Sequence, residues 1–277
     1  MRRNRLARGI VNIVTLVAAV AWAFPVYWMV NSSFQPERHL LATPPQFLPA
    51  RPTLEHFQRI LTDQTFWQAL GMSLGIALIL VFTTTTLSLL AALALTRFRF
   101  VGRTTMVVAI LVIQMIPAEA TFLSQYRMLD GWGLLNSVTG LSLLYIAGLL
   151  PFVVWMMRGF VAGIPLELEE AAMVDGCSRL QAMLRVTLPL LAPGLVATSV
   201  FAFLHAWNEY ALALIILSRN SAITLPLWLQ SFQQGLRGFD WGGVMAGSVL
   251  ITIPVMILFL LVQHRMTSGF VAGAVKG

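Results

Sequence analysis

The sequence predicts an all-α membrane protein with six transmembrane helices. Three observations carry that expectation. The 277 residues are 58% hydrophobic and only 10% charged, where a soluble domain is about 25% charged. Apolar runs of 18 residues or more, long enough to cross a bilayer, recur along the chain. The net charge of +7 comes from basic residues that flank those runs, the pattern of a membrane protein rather than of a nucleic-acid-binding stripe.

The elements follow in order. Arg2, Arg3, Arg5 and Arg8 precede a first span from about Ile10 to Val30. Ala19-Val20-Ala21 imitates a signal-peptidase site, but the apolar run continues through Phe24, Val26, Tyr27, Trp28 and Met29. That exceeds a signal h-region of about 7–15 residues, so the span is read as retained, with a kink at Pro25. Residues 31–67 form an exposed loop with Pro44, Pro45, Pro49 and Pro52, and a small helix around Leu54 to Leu61. The second span runs from about Ala69 to Leu95 and includes the quartet Thr83 to Thr86. Threonine hydroxyls bond to their own helix or across to a neighbour, so the quartet reads as packing. Arg97, Arg99 and Arg103 close it. A third span, about Thr105 to Leu123, contains Gln114, Pro117 and Glu119, which predicts a broken or kinked helix. Residues 124–137 read as a loop, with Asp130-Gly131 and Gly133 as its turn chemistry. The fourth span is about Val138 to Met157, with Pro151 inside it and Arg158 after it.

The least oily stretch comes next. Glu167 to Pro193 holds four carboxylates and two arginines. Pro165 suits the first helical position. Glu167, Glu169 and Glu170 then fall where the helix dipole favours anions. Gly176 sits where a helix would end on a left-handed residue. Ser178 and Gln181 have capping-box spacing for a second helix, striped by Leu180, Leu184 and Leu188 and ended or kinked at Pro189. The spacing therefore predicts two short helices joined by a glycine corner. The fifth span, about Gly194 to Leu217, contains His205, Trp207, Asn208, Glu209 and Tyr210. A loop with Arg219, Arg237 and Leu225-Pro226-Leu227 leads to a sixth span, about Trp241 to Val262, with Pro254 inside it.

Six spans put both termini on one side. Twelve of the 18 basic residues share that side and six lie on the other. By the positive-inside rule both ends and the Glu167–Pro193 stretch are then cytoplasmic. No phosphate-cradling glycine loop is present, and His39, His56, His205 and His264 lack metal-ligand spacing. The single cysteine, Cys177, permits no internal disulfide. From the residues alone three function classes stay open. They are an ATP-driven permease powered by a partner, an ion-coupled carrier using Glu119 and Glu209, and an intramembrane enzyme using His205 and Glu209. The enzyme is weakest, because no nucleophile or metal cluster accompanies that pair.

Glu170-Ala171-Ala172 followed by Gly176, with Asp175 before the glycine and Leu188-Pro189 after, resembles the EAA loop of bacterial ABC importer permeases. Cys177 stands where that family commonly has alanine, another small residue. Pro44 to Phe57, Trp207-Asn208-Glu209-Tyr210 and the Ala272 to Gly277 end are similar to carbohydrate-uptake permeases of the maltose type. The resemblance covers about residue 44 to 277. It implies the type I importer permease fold and a cytoplasmic-membrane location. It implies as partners a related permease, two ATPase subunits, an external solute-binding protein and a sugar, but no nucleic acid. ATP and Mg would sit on the ATPases, with no cofactor on this chain. Glu170, Ala171, Ala172, Asp175, Gly176 and Pro189 would form the ATPase-coupling loop. His205, Trp207, Asn208, Glu209, Tyr210 and Glu119 would form a pathway or gate. The chain divides on this reading into residues 1–67, the first span and external loop; 68–265, the core, with its coupling loop at about 163–193; and 266–277, a cytoplasmic tail.

Overall fold

The computed structural model describes the backbone of residues 2–218, 223–233 and 239–274, and side chains within 8–218, 223–233 and 239–263. Arg219, Arg237 and the Val275 to Gly277 end therefore lie outside the described residues, as do the side chains of Arg2, Arg3, Arg5, His264 and Arg265. Every described element is helical: α1 (Arg2–Ser33), α2 (Glu37–Leu40), α3 (Glu55–Thr62), α4 (Gln64–Arg97), α5 (Arg103–Ile113), α6 (Phe122–Gly131), α7 (Val138–Ala162), α8 (Glu167–Val174), α9 (Arg179–Ala182), α10 (Leu188–Leu190), α11 (Ala192–Asn208), α12 (Ala211–Ile216), α13 (Leu225–Gln230) and α14 (Trp241–Ala274). Four of these are long and apolar enough to cross a membrane, starting at Arg8, Gln64, Val138 and Trp241. Two bent pairs bring the number to six if each counts as one span: Arg103–Ile113 with Ala118–Gly131, bent by 92°, and Arg179–Leu190 with Ala192–Asn208, bent by 66°.

The chain forms two compact units, Met1–Trp67 with Trp228–Ile253, and Gln68–Leu227 with Pro254–Gly277. In the first, the proline-containing loop is folded onto the end of α1. Asn31 Nδ2 and Gln35 Nε2 both donate to the Gln46 carbonyl, at 3.1 and 2.9 Å. Tyr27 donates to the Phe47 carbonyl, and the Thr53 amide donates to Phe34 O. Buried polar groups need such partners, which explains a cluster of buried Asn31, Ser32, Ser33 and Gln35 in an oily chain. The predicted small helix is α3. His56 on it donates to Gln35 O at 3.0 Å, and Gly242 leaves room for its ring, since a Cβ there would meet it at 2.1 Å.

The second unit carries the elements that matter for function. The threonine quartet packs as expected: Thr84 bonds back to Leu80 O, and Thr85 lies 3.2 Å from Ser199 across the α4–α11 contact. Gly194 brings α11 against α7, for a Cβ there would lie 2.6 Å from Phe160 Cγ. The expected break near Pro117 is present, with a 3-10 turn at Ala118–Thr121 between α5 and α6. The expected loop over 124–137 is mostly helix. Asp130 and Gly131 belong to the end of α6, and the turn falls on Gly133 and Asn136, with φ of 66° and 56°. Gly133 donates to Asp130 O and Leu134 to Leu129 O. These two bonds are the Schellman closure of a helix. Leu129 is fully buried, which holds this helix in place.

Candidate functional site

The glycine corner and the caps of the two-helix element after α7 form as the spacing predicts, while its start and its second helix differ. α8 begins at Glu167, so Pro165 precedes the helix instead of opening it. α8 ends in a second Schellman closure: Gly176 donates to Met173 O, Cys177 to Ala172 O, and Gly176 has φ 92°. Ser178 then caps α9, and both arms of the box with Gln181 are made. Pro189 has a different effect from a simple stop. A π-helical turn, Met183–Thr187, precedes it, and the helical path continues to Leu190 before bending into α11. Proline removes an amide donor, and a widened turn accommodates that loss. The π turn also changes the buried face. Ala182 and Thr187, five residues apart, are buried, whereas Leu180 and Leu184 are 63% and 54% exposed. The expected leucine stripe is thus a surface feature.

Glu170, Ala171, Asp175 and Gly176 are exposed, Ala172 is half-buried and Pro189 is exposed. Exposed Leu166, Leu168, Met173 and Val174 surround them. The element therefore presents a small-residue face with an acidic edge and an apolar rim. Exposed apolar residues gathered beside polar ones on a protein surface mark interaction sites.

Glu169 behaves differently from its neighbours. It is buried, and its Oε1 accepts from Arg97 Nε and from Thr187 Oγ1, both at 2.7 Å. Arg97 Nη2 also donates to Ile164 O at 3.0 Å. Arg179 Nη2 donates to Arg97 O at 3.1 Å, and its guanidinium lies 4.5 Å over the Phe98 ring. Beneath this group lies a core of Ala92, Leu93, Met157, Val161 and Leu191, with Met183 packed on it. Sequence reasoning gave Glu169 only a helix-dipole role and counted Arg97 only as a flanking charge. A signal was available. At 100° per residue, Glu167 and Glu169 lie on opposite faces of α8, so both cannot face solvent equally.

The fifth span is broken at its polar cluster. α11 ends at Asn208, and Glu209 is extended, with φ −70° and ψ 125°. His205 and Glu209 therefore do not share one continuous helix face. Glu209 instead caps the start of α12: Oε1 accepts from Leu212 N at 2.7 Å, and Oε2 from Ala213 N at 3.1 Å and from Tyr145 Oη. A carboxylate at a helix start meets amides that lack helical partners. Trp207 is buried and stacks on Phe203, with centroids 5.1 Å apart. His205 is exposed with its ring edge-on to Tyr145, Asn208 is exposed and donates to Leu204 O, and Tyr210 is half-buried. Glu119 is exposed in the 3-10 turn of the broken third span and shares no hydrogen bond or ion pair with Glu209.

That break in the third span opens a cavity of about 390 Å³ lined by Gln114, Thr121, Gln125, Gly148 and Phe152 among others. Gln125 Nε2 donates to Thr121 Oγ1 at 2.9 Å, while its buried Oε1 has no partner. Among the described residues no His, Cys, Asp and Glu group has the geometry of a metal site.

The family model described as "binding-protein-dependent transport system inner membrane component" matches residues 2–270. The chain belongs to this family. It is 42% identical over 277 residues to the diacetylchitobiose uptake system permease DasC of Streptomyces coelicolor, covering all of both chains. It is 35% identical over 280 residues to the trehalose/maltose permease MalG of Thermococcus litoralis, again covering all of both. A solved bacterial ABC transporter for import of the polysaccharide alginate contains a chain that superposes with a TM-score of 0.79 at 24% identity, covering 95% of this chain and 98% of that one. The fold is that of an importer permease. The chain is a multi-pass transport subunit of the inner membrane and not itself an enzyme.

Proposed function

We propose that this permease imports a sugar or oligosaccharide, with both termini and the α8–α10 element in the cytoplasm. Its relatives are named for diacetylchitobiose and for trehalose and maltose uptake. The twelve-to-six distribution of basic residues supports the orientation. Its partners are a related permease, two ATPase subunits that hold ATP and Mg, and an external solute-binding protein. The observation that carries the coupling role is the exposed Glu170–Gly176 face on a helix pair with closed caps and a buried base. Such an element moves as a body and can pass ATPase closure to the spans.

The solute path is assigned to the two breaks. Non-helical backbone within an apolar span stands only where protein covers it or where it lines a wet cavity. Gln114, Thr121 and Gln125 at the third-span cavity supply hydrogen bonds for hydroxyls, and Phe152 supplies a ring face. His205, Asn208, Tyr210 and Glu119 offer further polar groups, while Trp207 and Glu209 hold the fifth-span break in shape. An ion-coupled role for Glu209 is disfavoured because both its oxygens already accept protein donors.

Reconstitution of the complete transporter with its binding protein tests the reading. Labelled diacetylchitobiose and trehalose are the probes, in vesicles holding ATP but no ion gradient. Uptake of either sugar that requires both ATP and the binding protein is expected. Uptake that needs a proton or sodium gradient while ATP is present would overturn it.

A further inference from the structure

We infer that Arg97, Glu169 and Thr187 form a joint that fixes the α8–α10 element to the second span, and that this joint sets the coupling between ATPase and permease. The inference rests on the coupling role proposed above and adds the residues through which it acts. In sequence the element lies between the fourth and fifth spans, so those are the obvious carriers of its motion. The strongest polar ties run elsewhere. The Arg97 and Glu169 side chains are 6% and 4% exposed and 2.7 Å apart. Glu169 belongs to the first helix of the element and Thr187 to the π turn of the second, and both converge on one oxygen, Glu169 Oε1. Arg97 reaches back to Ile164 O at the entry to the element, and Arg179 from the second helix grips Arg97 O and Phe98. The end of α4 is therefore held by the entry and by both helices of the element. Rotation of α8 relative to α4 would leave a buried carboxylate or guanidinium unpaired, a state proteins avoid. The second span then follows the element as a unit.

An ion pair that served stability alone would be replaceable. Apolar residues of similar volume in place of a buried pair are often neutral or stabilising. The double variant Arg97→Met/Glu169→Met therefore separates the two roles. It removes the directional bonds without stranding a charge. Single variants such as Arg97→Met leave the buried Glu169 carboxylate without its counter-ion and are expected to assemble poorly. Thr187→Val is the milder companion, since it removes one hydroxyl and keeps the shape.

The experiment uses the complete transporter with partner permease, ATPases and binding protein. One readout is the ratio of ATP hydrolysis with and without the binding protein. The other is the distance distribution between spin labels on the exposed positions Val101 and Leu184, read by pulsed dipolar spectroscopy. In the double variant the hydrolysis ratio is expected to fall about 2- to 30-fold with assembly intact, the range for mutations along a coupling network. The label distances should broaden. A wild-type ratio with a wild-type distance distribution in an assembled double variant would overturn the joint. Should the double variant not assemble, Thr187→Val decides by the same two readouts. A wild-type complex in which the binding protein never stimulates hydrolysis would instead strike the importer reading. The label distances would still judge the joint.

Discussion

At the residue scale, two positions carry specific chemistry. Gly176 has φ 92°, and a Cβ there would meet nothing within 4 Å. The constraint is therefore backbone conformation alone and not crowding. Gly176→Val should cost about 1–2 kcal/mol at the corner, while Gly176→Asn should be nearly tolerated because asparagine accepts the left-handed region. Both variants should reach the membrane at wild-type levels. Co-purification of the ATPase should drop for valine and persist for asparagine; equal retention by both would show that the corner geometry is not needed. Glu209 is the second position. Glu209→Leu leaves two amides of α12 and the Tyr145 hydroxyl without their acceptor, at a cost of roughly 1–3 kcal/mol per buried group. Glu209→Gln keeps an acceptor oxygen and the shape. Thermal unfolding in detergent should show a clear loss for leucine and a small one for glutamine.

At the element scale, caps and corners were legible and registers were not. The Ser178–Gln181 box and the Gly176 corner are local chemistry, decided within about five residues, and both formed as read. The break at Pro117 was legible for the same reason. The buried face of the second helix of the α8–α10 element was not. It depends on a π turn upstream of Pro189, and a period of 3.6 cannot reveal that turn. Glu209 was read within a continuous helix because the backbone break after Asn208 carries no glycine or proline. Asp130-Gly131 looked like a turn, but burial of Leu129 extended the helix through it. Packing between elements yields its own prediction. With a Cβ, Gly194 would come 2.6 Å from Phe160 Cγ and 2.9 Å from its Cβ, so Gly194→Ala cannot be absorbed by a flexible tip. Overpacking of this kind costs about 1–3 kcal/mol. The variant should unfold at lower temperature, and Phe160→Leu in the same chain should recover part of the loss.

At the scale of the whole molecule, the question is which way the chain faces. The apolar window of the first span is wholly exposed within this chain, and that of the last span is 11% buried. Surfaces this oily rule out water as their surroundings, so lipid or a partner's spans must cover them. The direction of insertion then rests on charge. On the proposed six-span orientation, Arg97, Arg99, Arg103, Arg158, Arg179 and Arg185 share a side with the α8–α10 element, while Arg38, Arg51, Arg59 and Arg127 share the other. Lysine and arginine near span ends resist translocation, which is why the orientation proposed above keeps the richer side in the cytoplasm. The assignment has a built-in check. The third-span pair must count as a single span for α8 to share a side with the N-terminus. If the third-span pair were a re-entrant loop, the coupling element would emerge outside and no ATPase could reach it. A reporter active only in the cytoplasm should therefore work when fused at the C-terminus or inserted at Leu184. One active only outside should work when inserted at Arg51. A Leu184 insertion that is active only outside would show that the third-span pair turns back within the membrane, and with it the coupling reading would fall.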